Sequence, residues 1–311
     1  MTIRADSVVE GLDYDSATGK INGVRIIDAN TRERVRFTSR LVFLCASTIG
    51  STQVLLNSRS AAFPNGLANR SGVLGRYLMD HTSGLGAFGV IPGFMDQYTI
   101  GNRPNGIYIP RFRNLNGQDE NADFVRGYGY QGGAMRMSWQ QMQGQISGFG
   151  KRFKQAMRAP GPWVFFLGGF GEHLPDPDSR MSLDSSKTDR FGIPQVRFSS
   201  AYGSNEDRMR KDMVVQASAM LKAAGAKNIS TFDGNVPPGG AIHEMGTARM
   251  GDDPAQSVLN RWNQAHDVAN LFITDGSCMT SSSCVNPSLT YMALTARAVD
   301  YAVKQLKAGM I

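Results

Sequence analysis

The chain has 311 residues, 41% of them apolar, with 33 basic and 26 acidic side chains and a net charge of +7. That is enough apolar chain to bury a large core, which excludes wholesale disorder, and no apolar run approaches the ~18 residues a membrane-crossing helix needs. The basic residues are scattered, without the aromatic-interleaved stripe of a nucleic-acid surface, so no nucleic-acid partner is expected.

In chain order, the opening MTIRADSVVEG reads as mid-domain strand, not as a leader. TIRADSVVEGLDYD and GVRIIDA flank the turn-rich SATGKIN and predict a hairpin or meander. LVFLCA is a continuous apolar run, as in a strand buried on both faces of a parallel sheet. STIGSTQVLLNS then predicts a helix with a Ser/Thr cap and helix-spaced Ile49, Val54 and Leu55. From Pro64 to Ala122 dense Gly, Asn and Pro predict loops and short strands. Residues 133–158 are rich in Met and Gln, which suits adaptable core. Residues 159–199 carry strand patterning.

Helix returns at Ser204–Ala224, with Ser204 and Asp207 resembling a capping box and Gly225 where a stop belongs. Leu271–Ile273 predicts a short strand that empties into the Ser-rich TDGSCMTSSSCV. The last helix, Pro287–Lys307, carries Leu289, Met292, Ala293, Ala296, Val299 and Val303 on one face. Asn286 is a sensible N-cap for it, with Pro287 at the first helical position.

Most motifs with a chemical look fail on their context. Gly84–Gly89 and Gly127–Gly132 both match GxGxxG. The first runs into Val90-Ile91-Pro92 and the second lacks an acid ~20 residues on, so both are expected decoys. His243-Glu244 is not HExxH, because position 247 is Thr. No GxSxG occurs. Asp252 and Asp253 are turn residues. The odd set Cys45, Cys278 and Cys284 contains no CxxC, which speaks against a disulfide framework and a zinc ribbon, with a Cys278–Cys284 bridge left open. What stands out is His243 in AIHEMGTARMG, Asp275 in LFITDGS and Asn286 in CVNPSLTYMALTARA, crowded into one stretch. Each has a bland local reading, as a satisfied histidine, a strand-end turn residue and a helix cap.

Together these stretches resemble the glucose–methanol–choline (GMC) flavin oxidoreductases. That family's C-terminal region carries an HxxGTxRMG-like motif, a strand ending in Asp-Gly-Ser/Ala, and His-or-Asn-Pro opening the final helix. HEMGTARMG, DGS and NPSLTYMALTARA match in residues, order and spacing. LVFLCASTIGSTQVLLNS is similar to the family's second signature. GVLGRYLMDH resembles its Gly-Arg-Asn-Leu-x-Asp-His segment, and LPDPDSRMSLD with DRFGIP resembles a segment ahead of the active site. The resemblance spans residues 1–308, and the nearest types are the gluconate and glucoside 3-dehydrogenases.

The resemblance implies a mixed α/β (α+β) fold: an incomplete FAD-binding Rossmann-like domain and an antiparallel-sheet substrate domain with helices. The implied boundaries are 1–75 for the partial FAD-binding domain, 76–234 for the substrate domain, and 235–311 for the C-terminal part carrying the catalytic motifs. It implies FAD, a sugar or alcohol substrate, an electron acceptor and no metal. His243 is the implied base, suited by an unperturbed pKa of ~6.5. Asn286 would hold the substrate oxygen. Ala46, Ser47, Asp275, Gly276, Asn286, Pro287 and Ser288 are the implied cofactor contacts, the last helix N-terminus favouring an anionic flavin edge.

Two departures stand against the pattern. The N-terminal nucleotide fingerprint is absent, and positions 47 and 52 are Ser and Thr where the family has Gly and Pro more often. The chain therefore reads as the C-terminal half of a flavoenzyme: a truncated product, a fragment, or a subunit completed by a second chain supplying the N-terminal FAD-binding half. The alternative is a non-catalytic binding or assembly subunit with a degraded flavin site.

Overall fold

The computed structural model describes residues 2–97, 106–115, 123–142, 144 and 146–311. Positions 98–105 and 116–122 of the Gly/Asn/Pro-rich stretch, and 143 and 145 of the Met/Gln-rich one, lie outside the described residues. The elements in chain order are β1 (Ser7–Asp15), β2 (Lys20–Asp28), β3 (Arg34–Phe37), β4 (Val42–Leu44), α1 (Ser47–Asn57), β5 (His81–Thr82), β6 (Leu85–Ile91), β7 (Ile107–Ile109), β8 (Tyr128–Arg136), α2 (Trp139–Met142) and α3 (Gly150–Arg158). They continue with β9 (Trp163–Glu172), β10 (Arg180–Thr188), β11 (Pro194–Ser199), α4 (Ser204–Ala223), β12 (Lys227–Asp233), β13 (Leu271–Ile273) and α5 (Ser288–Lys307). This is the expected mixed α/β fold with antiparallel sheets.

The first three strands form an antiparallel meander. Its first turn closes because Asp15 accepts from the Ala17 N–H and Thr18 hydroxyl, both at 2.9 Å, and Gly19 supplies φ +70. The buried run at Val42–Leu44 does pair in parallel, with β13, whose three residues are fully buried. Asn270 stitches the meander to this pair: it accepts from the Ile21 N–H and donates to the Ile21 and Arg40 carbonyls. The start of α1 differs from expectation. No side chain caps it; instead Ser51, one turn inside, accepts from the Ala46 N–H at 2.9 Å, and Ser47 adopts φ +65.

A larger antiparallel sheet runs β12-β6-β9-β8-β7, with β5 pairing the end of β9. Both GxGxxG matches run into its strands, β6 and β8, and neither opens a helix. α4 lies across this sheet and buries Met209, Met213, Ala217 and Leu221 against Leu85, Ala87, Tyr128, Tyr130 and Leu167. Its cap corrects the expected residue. The Gly203 N–H donates to Glu206 at 2.8 Å, so Glu206 at N3 does the work expected of Asp207, because the helix begins one residue after Gly203. At the other end Gly225 takes φ +81 and the Ala226 N–H reaches back to the Leu221 carbonyl, the expected glycine stop.

A second core gathers residues from both ends of the described chain, including Leu12, Val42, Leu55, Leu67, Val258, Leu271 and Ile273.

Candidate active site

An isolated antiparallel bridge creates the site. Met79 and Met245 exchange both backbone hydrogen bonds, each at 2.9 Å. In antiparallel register this sets His81 across from His243, 162 residues away. Asp80, buried between them, locks the facing loop. Its Oδ2 accepts from the Gly239 and Ala241 N–H groups at 2.9 Å, and its Oδ1 accepts from the His243 N–H at 3.1 Å. The loop is strained where it meets the histidine: Ile242, β-branched and 78% exposed, sits at φ +58. Left-handed backbone at a β-branched residue costs free energy, and such strain persists only where surrounding bonds over-determine it.

The side chains follow in a line. His81 is buried, and its Nε2 lies 2.9 Å from the Ser282 carbonyl oxygen. Its Nδ1 lies 3.1 Å from Nδ1 of His243. Nε2 of His243 lies 3.2 Å from Nδ2 of Asn286. Oδ1 of Asn286 accepts from the Gln131 amide on β8 at 2.5 Å, which orients the carboxamide. Burial holds the His81 pKa below 6.5, opposed by the Ser282 carbonyl and aided by His243. Thus the structure brings His243 and Asn286 together although 43 residues separate them.

Asn286 is not the N-cap that its sequence position suggests. α5 begins at Ser288, with Pro287 preceding it, and no side chain caps it. The carboxamide is turned away because Gln131 and His243 hold both its ends. No acid sits in the first turn of α5, so its positive end is uncompensated by the helix itself.

The other implied contacts form a second cluster. The segment HEMGTARMG runs beside DGSC: the Gly246, Ala248 and Met250 N–H groups donate to the Gly276, Ser277 and Cys278 carbonyls at 3.1, 2.8 and 2.9 Å. Gly246 must be glycine, since it adopts φ +97 and a Cβ would lie 2.1 Å from the Tyr77 carbonyl oxygen. Gly276 is closed in as well: a Cβ there would meet the Glu244 carbonyl oxygen and Thr48 Oγ1, both at 2.5 Å. Asp275 accepts from the Ser51 hydroxyl and from Ser277 N–H and hydroxyl, at 3.0 and 2.5 Å for the latter two. Since Ser51 also accepts from the Ala46 N–H, the chain Ala46–Ser51–Asp275 links the ends of β4 and β13. Ala46, Ser47 and Ser288 are exposed, Asp275 is half-buried, and Gly276 and Pro287 are buried.

A cavity of about 470 Å³ adjoins the His243 loop, lined by Asp80, Gly239, Gly240, Glu244, Leu78 and Phe198 among others. Neither His243 nor Asn286 lines it. No group of three or more His, Cys, Asp or Glu among the described residues could hold a metal ion. The three cysteines are free, so no Cys278–Cys284 bridge forms, and burial pushes the Cys278 thiol up to about 12.

Sequence reasoning passed over Asp80, His81, Gln131 and Ser282 as site residues. The Asp80-His81 pair does close the stretch GVLGRYLMDH, the one local signal present; Gln131 and Ser282 have none.

A family model described as GMC oxidoreductase matches residues 175–295. A 2-methyl-1,2-propanediol dehydrogenase of Mycolicibacterium austroafricanum is 33% identical over 290 residues, covering 91% of this chain and 51% of the relative. The fructose dehydrogenase large subunit of Gluconobacter japonicus is 26% identical, covering 98% of this chain and 54% of the relative. The chain thus spans about half the length of the curated relatives it matches. Among solved structures, an Aspergillus oryzae formate oxidase studied for its FAD modification shares the fold, with TM-score 0.56, 15% identity, and coverage of 97% of this chain and 60% of that one.

Proposed function

Through residues 175–295 the chain belongs to the GMC oxidoreductases, and from that premise we propose that it carries the catalytic residues of an FAD-dependent oxidation of a sugar or alcohol CH–OH group. The observation that carries the reading is the 3.2 Å approach of His243 Nε2 and Asn286 Nδ2, each backed by a fixed partner. An alcohol oxygen set beside this pair, within hydrogen-bond reach of both nitrogens, would donate its proton to the imidazole and accept from the carboxamide. His243 is then the base, and Asn286 fixes the oxygen, so the carbinol carbon is held in one orientation.

FAD, when bound, supplies the acceptor for the carbinol hydride. The residues present fit such a group. The first turn of α5 carries neither a side-chain cap nor an acid, which suits a flavin edge gaining negative charge. Asp275 and Gly276 stand at the end of β13, and Ala46 and Ser47 at the end of β4, where open α/β sheets hold ligands. In this reading residues 1–75 and 235–311 form the flavin side and 76–234 the substrate side, a division that the two separate cores support. Neither GxGxxG match opens a helix, so the nucleotide-binding part of the site is assigned outside residues 1–311, in the same polypeptide or a second chain. The relatives named for a diol and for fructose support a small alcohol or sugar substrate. The electron acceptor is a further partner.

The test is anaerobic mixing of the flavin-loaded protein, completed by co-expression with a nucleotide-binding half, against a panel of sugars and small alcohols. Flavin bleaching is followed by stopped flow. His243→Ala slows reduction by ~10²-fold or more; an unchanged rate overturns the assignment. Bound flavin that no panel member bleaches favours the non-catalytic binding or assembly subunit.

A further inference from the structure

Protons in the line Ser282–His81–His243–Asn286 can be placed one at a time. The Ser282 carbonyl oxygen only accepts, so Nε2 of His81, 2.9 Å away, carries a hydrogen. A neutral imidazole has one such hydrogen, which leaves Nδ1 of His81 as an acceptor. Neutrality is enforced by surroundings that are wholly buried and partly aromatic, with Phe170 set edge-on against the ring at 6.0 Å. The charged or titratable groups around it are Asp80, Glu172 and His243. Asp80 is engaged by three backbone N–H groups and Glu172 by the Ser281 hydroxyl.

The next contact joins two ring nitrogens, Nδ1 to Nδ1 at 3.1 Å. One of them must carry the hydrogen, and that of His81 is already spent on Ser282. His243 therefore donates from Nδ1, and its lone pair is left on Nε2. That nitrogen faces Asn286 Nδ2, which donates, since Gln131 has claimed the amide oxygen. With both rings neutral and the Asn286 amide oriented by Gln131, this is the assignment in which every donor in the line meets an acceptor.

From this we infer that His81 is a positioning residue: it holds His243 in the Nδ1–H tautomer and so directs the basic lone pair, through Nε2, toward Asn286 and the substrate oxygen. The consequence for catalysis rests on the reading of His243 as base. In the opposite tautomer the Nε2 hydrogen would point at the Asn286 amide, and the imidazole could not take a hydroxyl proton until it rotated or re-protonated. The general rule is that the hydrogen bond made by one ring nitrogen decides the state of the other.

The test needs neither flavin nor substrate. The 311-residue chain is labelled with ¹⁵N-histidine, and long-range ¹H–¹⁵N correlations are recorded well above the free-imidazole pKa of ~6.5. Four histidines make the spectrum assignable by single replacement. His81 is expected as Nε2–H and His243 as Nδ1–H. In His81→Asn, which keeps an acceptor near the Nδ1 position, His243 stays Nδ1–H. In His81→Leu, checked for folding by circular dichroism, the Nδ1–H of His243 loses its acceptor and the Nε2–H share rises above that of wild type, against the Asn286 amide that still donates to Nε2. A wild-type His243 found as Nε2–H overturns the inference, and so does a folded His81→Leu with an unaltered His243. If His81→Leu does not fold, the wild-type and His81→Asn spectra decide alone. Should the tautomers come out as stated while no alcohol or sugar reduces bound flavin, the proposed function falls and the tautomer assignment stands.

Discussion

Helices α4 and α5 are each 20 residues long and each carries an apolar stripe, yet they end in opposite circumstances. α4 presses its stripe onto the large sheet, leaving Met209, Met213, Ala217 and Leu221 with no exposure. α5 buries Ala298 and Ala302, against Phe272, while Leu289 and Met292 stay 78% and 68% exposed. Helical periodicity states which face is apolar; it does not state what covers it. Of the two helices, α4 therefore adds more buried apolar surface to a core, whereas α5 contributes chiefly the Asn286-Pro287-Ser288 corner at its start.

The largest effect expected from this contrast is at Leu221. Truncation to Ala removes a fully buried side chain from a packed core and leaves a cavity, at a cost of about 2–5 kcal/mol. Urea unfolding measures it. A loss under 1 kcal/mol would break the claim that α4 anchors the fold.

Next comes Gly246→Ala, which asks whether the α5 side is loose throughout. It is not: HEMGTARMG is clamped between Tyr77 and Gly276. Left-handed backbone and the collision with the Tyr77 carbonyl together cost about 2–4 kcal/mol. A melting temperature equal to wild type would show that this segment yields, and that the His81–His243 register is soft.

A smaller effect is titratable and sits between the two regions. His81 and His173 are both held below their ordinary pKa of 6.5, chiefly by burial. The folded protein therefore binds fewer protons than the unfolded chain. Their contribution is fully present above about pH 6.5 and is lost as pH falls through that value toward the depressed folded-state values. The lowered carboxylates, such as Asp15 and Asp28, start from 3.8 and act at more acidic pH. The melting temperature should hold level from pH 8 to 6.5 and decline by pH 5, with part of the decline removed in His81→Asn. A flat profile over that range contradicts the neutral, buried His81 on which the tautomer assignment depends.

What was legible in the sequence was local. The apolar run at Val42–Leu44, the stop at Gly225, the strand at Leu271–Ile273 and the decoy glycine motifs all announce themselves through their neighbours within a few positions. What was not legible was partnership. Asn286-Pro287 looks like a helix cap by every local rule, and only Gln131 and His243, arriving from β8 and the 239–246 loop, turn the amide elsewhere. Ser204 and Asp207 look like a box, and a one-residue shift of the helix start transfers that role to Glu206. The residues implied by family resemblance, His243 and Asn286, converge in space. His81 lies in the matched stretch GVLGRYLMDH but was not among the implied site residues; it is set opposite His243 by a two-bond bridge at Met79 and Met245 that no periodicity encodes.

The smallest expected effect sharpens the comparison most. Leu289→Ala is the same chemical change as Leu221→Ala, on a helix of the same length, but at a position 78% exposed. Little apolar area returns to water and no cavity forms, so unfolding of the chain should change by no more than about 0.5 kcal/mol. Alanine's higher helix propensity pulls slightly the other way. Leu289 lies three residues beyond Asn286, so the His243–Asn286 contact should also persist, read as an unchanged Nδ1–H signal for His243. A destabilisation approaching that of Leu221→Ala would mean that the stripe on α5 is covered in solution, and the asymmetry between the two helices would be lost.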